Sequence, residues 1–254
     1  MLLNRLLIKA VAPVPKIEKF KTYLFVAPHP DDIEIAVGST VARLAREGKD
    51  VYYLVCTDGR FGTEDENMSP ETLVKIRREE QLAAAKILGV KDVRFLPFED
   101  GGMYDEVALR IEIAKVIAEI KPDVVIGPDH KLYPESHPDH LRVGEAVSKA
   151  YFMCSNVNMM KSVGATQIAK PTVLAYYFTG KPNRFVKTKA AYACFVSQCP
   201  PPDNGKSLML YMRLKVRLNG LRSFHIRADA FRVMNNMHIH CCGEAEDTAI
   251  RRPL

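Results

Sequence analysis

No stretch of this sequence approaches the roughly 20 consecutive apolar residues that a membrane helix needs, so no membrane span is expected. The first 14 residues are partly apolar, but Arg5 and Lys9 interrupt them and no plain small-residue cleavage site follows. That argues against a secretory leader and for a cytoplasmic protein. The six cysteines include no C-x-x-C pair, and in a reducing compartment they are expected as free thiols. Tryptophan is absent, from which nothing useful follows. No internal repeat and no low-complexity linker divide the chain, which leaves one domain with a C-terminal elaboration as the simplest organisation. Nor does a G-x-G-x-x-G follow the first predicted strand, so the dinucleotide fingerprint is missing.

What is present is an ordinary globular composition over 254 residues, 47% hydrophobic and 26% charged. The net charge of +6 is modest. Much of the excess lies between Lys206 and Arg232, where Arg213, Lys215, Arg217, Arg222 and Arg227 meet few acids. A solvated face explains this, and no nucleic-acid partner is expected. Apolar runs predict strands at Tyr23–Ala27, Val51–Cys56, Val93–Leu96 and Val124–Ile126. Helical spacing predicts helices from near Ile33 to Gly48, over Glu71–Leu88 with Leu73, Ile76, Leu82 and Ile87 among its apolar positions, and over Val107–Ile120 and Leu141–Met153. Such alternation predicts an α/β fold, a Rossmann-like, doubly wound, mainly parallel sheet with helices on both faces. Beyond residue 170 the rhythm changes, with strands expected at Thr172–Phe178 and Phe185–Val186 and a helix at Leu208–Leu221. The expected division is a single domain, residues 1–254, with a catalytic core over about 20–155 and an elaboration over about 170–254.

Two polar clusters stand where predicted strands end: His29, Asp31 and Asp32 after the first, and His137, Asp139 and His140 after the fourth. A parallel sheet brings both to one edge, where open α/β sheets bind ligands. A catalytic zinc takes three nitrogen or oxygen ligands and keeps a position for water. Two imidazoles and a carboxylate suit such an ion, and the surplus carboxylate and imidazole can move protons. Spacing alone does not say which residue does which. Taken singly, Asp31 or Asp32 could just as well cap the following helix; two such coincidences at strand ends speak for a site.

The stretch Ala27-Pro28-His29-Pro30-Asp31-Asp32, with Glu34 and Gly38-Ser39-Thr40, resembles the signature of the LmbE-like deacetylases, also called the PIG-L family. A second motif of that family is matched by His137-Pro138-Asp139-His140, and Thr57-Asp58-Gly59 and Arg77 to Val90 also fit. The likeness covers about residues 22–150. It implies a zinc-dependent hydrolase that removes the acetyl group from an N-acetylglucosamine-containing small molecule, leaving acetate and a free amine. It implies His29, Asp32 and His140 as Zn2+ ligands, Asp31 as the base for water, and His137, tuned by Asp139, as the group that stabilises the oxyanion or protonates the leaving amine. Arg77 and Asp100 correspond to sugar-contacting residues, although Arg77 could instead pair with Glu80 on one helix face. Family members often form homo-oligomers, including trimers and hexamers, which is the expectation here.

Three positions depart from the pattern. Ser39 replaces a usual glycine, Phe195 in Phe195-Val196-Ser197-Gln198 replaces a usual histidine, and Glu135 stands where some members carry an aromatic. His238, His240, Cys241 and Cys242 form a dense soft-ligand cluster that fits zinc spacing poorly; a buried strand end with reduced thiols is the expected reading. Cys194 and Cys199 are expected to pack rather than to form a disulfide. The competing functional readings are a non-catalytic sugar-binding protein that kept its metal, and a metal-free nucleotide-binding α/β protein.

Overall fold

A computed structural model of the chain describes residues 10–188 and 206–240. Within them seven strands form a sheet: β1 (Thr22–Ala27), β2 (Asp50–Thr57), β3 (Asp92–Phe98), β4 (Val124–Pro128), β5 (Val173–Tyr177), β6 (Arg184–Lys187) and β7 (Ala228–Asn235). Their order is β3-β2-β1-β4-β5-β7-β6. The first five are parallel, with Thr22 opposite Asp50 and Tyr23 opposite Val124 on either side of β1. β7 runs antiparallel to both β5 and β6.

The apolar runs make this a sheet covered on both sides. Along β1, alternate residues face opposite ways. Tyr23, Phe25 and Ala27 enter one core with Ile33, Val41, Leu44 and Phe231; Leu24 and Val26 enter the other with Leu109, Ile113, Ile117, Val143 and Val147. The covering helices are α1 (Asp32–Arg46), α2 (Pro70–Leu88), α3 (Glu106–Ile120), α4 (Pro138–Met153), α5 (Val157–Ser162), α6 (Lys206–Arg222) and α7 (Asn236–His240).

The structure departs from the sequence expectations in several places, and a short helix, α5, stands where none is expected. β7 has no counterpart among the expected strands, because Asp229 and Arg232 interrupt its apolar pattern; both are buried and paired, Arg232 with Asp129 at 3.3 Å and Asp229 with Thr40 at 2.7 Å. On α2, Leu82 and Ile87 are exposed, whereas Gln81 is buried with Leu73, Ala84, Ala85 and Leu88. A polar side chain takes an inward position there because it has buried partners to satisfy. α1 is not one continuous helix: Val37, at φ −147° and ψ 20°, breaks it. His238 lies on α7 rather than on a strand end, and both its ring nitrogens are used, by Asn235 N at 3.2 Å and Ala12 O at 2.8 Å. Phe195 to Gln198, Cys194, Cys199, Cys241, Cys242 and the His240 side chain lie outside the described residues.

Candidate active site

Five parallel strands deliver their C-terminal ends to one edge. His29, Asp31 and Asp32 follow β1, Gly59 to Gly62 follow β2, Asp100 to Gly102 follow β3, Glu135 and His137 to His140 follow β4, and Phe178 follows β5. Between them lies a cavity of about 390 Å³, lined by His29, Asp31, Phe61, Arg77, Asp100 and His137.

Asp31 and Asp32 part company at the backbone. Asp31 has φ 91°, in the left-handed region that a non-glycine residue enters at a cost. Two side chains of α2 hold it there: Asp31 N donates to Gln81 Oε1 at 2.9 Å, and Arg77 Nη2 donates to Pro30 O at 2.7 Å and to Asp31 Oδ2 at 3.2 Å. Gln81 in turn donates to Glu34 Oε1 at 3.0 Å. Gly62 leaves the room that Arg77 needs, since a Cβ there would collide with the guanidinium. Arg77 therefore reaches across to Asp31, and the alternative of a helix-face pair with Glu80 does not describe that contact. Neither carboxylate caps α1 in the expected way. Asp31, at the cap position, makes no side-chain cap bond, and Asp32 Oδ2 accepts from His29 N at 2.9 Å.

Asp32 is buried between two imidazoles, with His29 Nδ1 3.3 Å from one oxygen and His140 Nε2 3.4 Å from the other. The far nitrogen of each ring meets another carboxylate. His29 Nε2 is 3.0 Å from Asp100 Oδ1, and His140 Nδ1 is 2.9 Å from Glu135 Oε2. Glu135 also accepts from His137 N at 2.8 Å, so the departure noted in the sequence is a residue that holds the second cluster in place. Phe178 stacks on His140 with centroids 6.0 Å apart and planes 8° apart. His137 is the N-cap of α4, its Nδ1 accepting from Asp139 N at 3.3 Å. This leaves Nε2 as the protonated nitrogen of a neutral ring. Asp139 is fully buried and accepts from Gly101 N at 2.9 Å and Gly102 N at 3.1 Å. Its carboxylate lies 3.6 Å from His137 Nδ1 and 3.5 Å from His29 Nε2.

The electrostatics are those of a cation site. Burial opposes a charge on His29, yet its bonds to Asp100, Asp139 and Asp32 push it up to about 11. Burial likewise opposes ionisation of Asp32, but His140 and His29 hold it well below the usual carboxylate range. Asp139 is held low against burial by His29, Tyr104 and the Gly101 amide. His140 rises, against burial, beside Asp32 and Glu135. Asp31 moves the other way. Enclosure by the cleft walls raises it, Arg77 opposes and Asp32 reinforces the rise, and the 48% of its side chain that faces the open cleft tempers it. A potential that holds a proton this firmly on an imidazole would also draw a divalent ion, which displaces that proton on binding.

Several donor sets fit an ion. Ring nitrogens of His29, His137 and His140 lie within 4.8 Å of one another, as do donor atoms of His29, Asp100, His137 and Asp139. Asp32 lies beside these sets, in contact with His29 through one oxygen and with His140 through the other.

Comparison with known proteins places this edge in context. The family model described as PIG-L, GlcNAc-PI de-N-acetylase, matches residues 24–151, half of the chain. The chain belongs to the PIG-L family. A diacetylchitobiose deacetylase from Thermococcus kodakarensis is 34% identical over 95% of this chain and 92% of its own. A 1D-myo-inositol 2-acetamido-2-deoxy-alpha-D-glucopyranoside deacetylase from Kineococcus radiotolerans is 31% identical over 63% of this chain and 53% of its own. An N,N'-diacetylchitobiose deacetylase of Pyrococcus horikoshii has the same fold, with a TM-score of 0.81, 28% identity and 94% of each chain covered. This PIG-L chain thus matches the chitobiose enzymes over nearly their whole length and the inositol enzyme over about half.

Proposed function

We propose that the protein is a zinc-dependent N-deacetylase that hydrolyses the acetamide of an N-acetylglucosamine-containing small molecule to acetate and a free amine. One observation carries the reading: Asp32 joins the inner nitrogens of His29 and His140, while a second carboxylate takes the outer nitrogen of each ring. Metal-bound histidines are oriented in this way. With zinc to nitrogen or oxygen bonds of about 2.0–2.1 Å, tetrahedral ligands lie roughly 3.3–3.4 Å apart, and His29 Nδ1 and His140 Nε2 stand at that separation from Asp32, each from a different oxygen. His29, Asp32 and His140 are therefore preferred over the sets that include His137, which is 46% exposed and uses Nδ1 to cap α4.

The ion, when bound, would polarise the acetamide carbonyl and lower the pKa of water. Asp31, facing the cavity and raised towards neutrality, accepts the proton of the attacking water. Arg77 keeps that carboxylate aimed and, with Asp100, lies where sugar hydroxyls enter. His137 Nε2 donates a hydrogen bond to the developing oxyanion, and the proton that Asp31 took from water passes to the nitrogen as the C–N bond breaks. Asp139 fixes the 101–102 loop beside it and tunes its ring. A binding protein that had merely kept its metal would have no use for Asp31 and His137 beyond the ligand set.

The test is acetate and free-amine release from diacetylchitobiose and other N-acetylglucosamine conjugates by zinc-loaded protein. Turnover of at least one is expected; none with any, while zinc stays bound, would leave the binding reading in its place. The chain is further read as a single deacetylase domain acting in the cytoplasm. It is also read as a homo-oligomer, trimer or hexamer, supported by the exposed ridge of Leu210, Leu214, Leu218 and Leu221 on α6. Light scattering on wild type and Leu218→Glu checks this, with a smaller species expected for the variant.

A further inference from the structure

Behind the site, α1 is broken at Val37. In a regular helix Ala36 O accepts from Thr40 N, and that pair spans the non-helical residue. Two charged side chains from beyond the family match flank the break. Lys215 Nζ, from α6, donates to Ile35 O at 2.6 Å and Ala36 O at 2.7 Å. Asp229, from β7, accepts from Thr40 N at 2.9 Å and Thr40 Oγ1 at 2.7 Å. A cation thus meets the carbonyl end of the first half-helix and an anion the amide end of the second, as the helix dipole favours. Asp229 is 1% exposed. Burial lowers Lys215 to about 8 and raises Asp229, each opposed by the other's charge.

The same lysine touches the opposite side of the site. Its Nζ lies 5.7 Å from the centroid of Phe178, the ring that stacks on His140. Lys215 therefore bears both on the half-helix that begins at Asp32 and on the aromatic that backs His140.

We propose that Lys215 and Asp229 are positioning residues for the metal centre, setting the relation of Asp32 to His140 by bridging the break in α1. Neither touches substrate or ion. Through them the C-terminal part, residues 206–235, governs a site whose every ligand lies before residue 141. The inference rests on the ligand set proposed above, but metal affinity is read without substrate, so it survives or fails independently of which acetamide, if any, is cleaved.

The test uses the full chain with Lys215→Met, which keeps the length and loses the donor, and Lys215→Arg, which keeps donor and charge. For Lys215→Met, zinc affinity measured against a chromogenic chelator is expected to fall about tenfold or more. Its kcat should fall by a similar factor while KM stays within about twofold, and Lys215→Arg should recover most of both. A Lys215→Met protein that loses melting temperature alone, with zinc affinity and kcat of the wild type, would overturn the proposal. If Lys215→Met does not fold, Asp229→Asn decides: it keeps the shape and one oxygen for Thr40, a fall in zinc affinity supports the proposal, and wild-type affinity overturns it.

Discussion

Backbone conformation separates two aspartates that the sequence presents as a pair. The positive φ of Asp31 turns its carboxylate to the cavity, and the helical conformation of Asp32 turns the next one inward between two imidazoles. Asp31→Asn keeps the shape and loses the base, so kcat should fall by about 10²–10⁴ with zinc content unchanged; stoichiometric zinc together with wild-type turnover would remove Asp31 as the base. Glu135→Gln removes the charge facing His140 Nδ1 and should weaken zinc binding about 10–100-fold, read by competition with a chelator, while Ser136→Ala next to it should not. The polar crowd at the ends of β1 and β4 was legible in the sequence, but the choice of His29, Asp32 and His140 within it came from the family resemblance, since spacing alone does not divide the roles. Glu135 and Gln81 were not legible as parts of the site. Their roles depend on which atom lies opposite in the fold, and Gln81 serves a residue 50 positions away.

At the scale of elements, strands and helices were read well where burial imposes one pattern along the whole element, as in β1, β4 and β5, whose inner residues are all apolar. The reading failed where a polar group is buried with a partner: β7 was hidden by Asp229 and Arg232, and the inward face of α2 by Gln81. The break in α1 at Val37 is announced only by the Gly38-Ser39 pair that follows it, the kind of pair at which helices kink. Helix α4, which carries His140, is seated against β4 through Gly144. A Cβ there would stand 2.5 Å from Pro128 O and 3.0 Å from His130 N. Gly144→Ala should therefore push the helix outward, at a cost of about 1–3 kcal/mol. Calorimetry should show a lower melting temperature, and a zinc titration weaker binding because His140 lies one turn earlier; an unchanged melting temperature would mean that the helix yields at no cost.

At the scale of the molecule, the core on the face of the sheet that takes Leu24 and Val26 encloses both Cys56 and Cys154, which are fully buried. Burial raises both thiols, Cys154 to about 12, and a buried neutral thiol is a poor nucleophile. Iodoacetamide followed by peptide mapping should label neither in the native protein and both in denaturant; native labelling of Cys56 would mean that the sheet opens beneath the site. The fold class could be read from the alternation of elements up to residue 153. The arrangement of the C-terminal part could not, since nothing local says that the last strand enters the sheet between two earlier ones.

That insertion has a consequence for how the protein comes to be made. As the chain leaves the ribosome, β1 to β5 can pair in turn, but β6 has no neighbour in the sheet until β7 arrives beside it. The motif residues are all synthesised before residue 141, yet the strand that brings Asp229 to Thr40 ends only at residue 235. A nascent chain halted before residue 228 should hold a sheet with every proposed zinc ligand present and the corner around Asp32 still loose. Competence to hold the ion would then appear late in synthesis, some ninety residues after its ligands have been made.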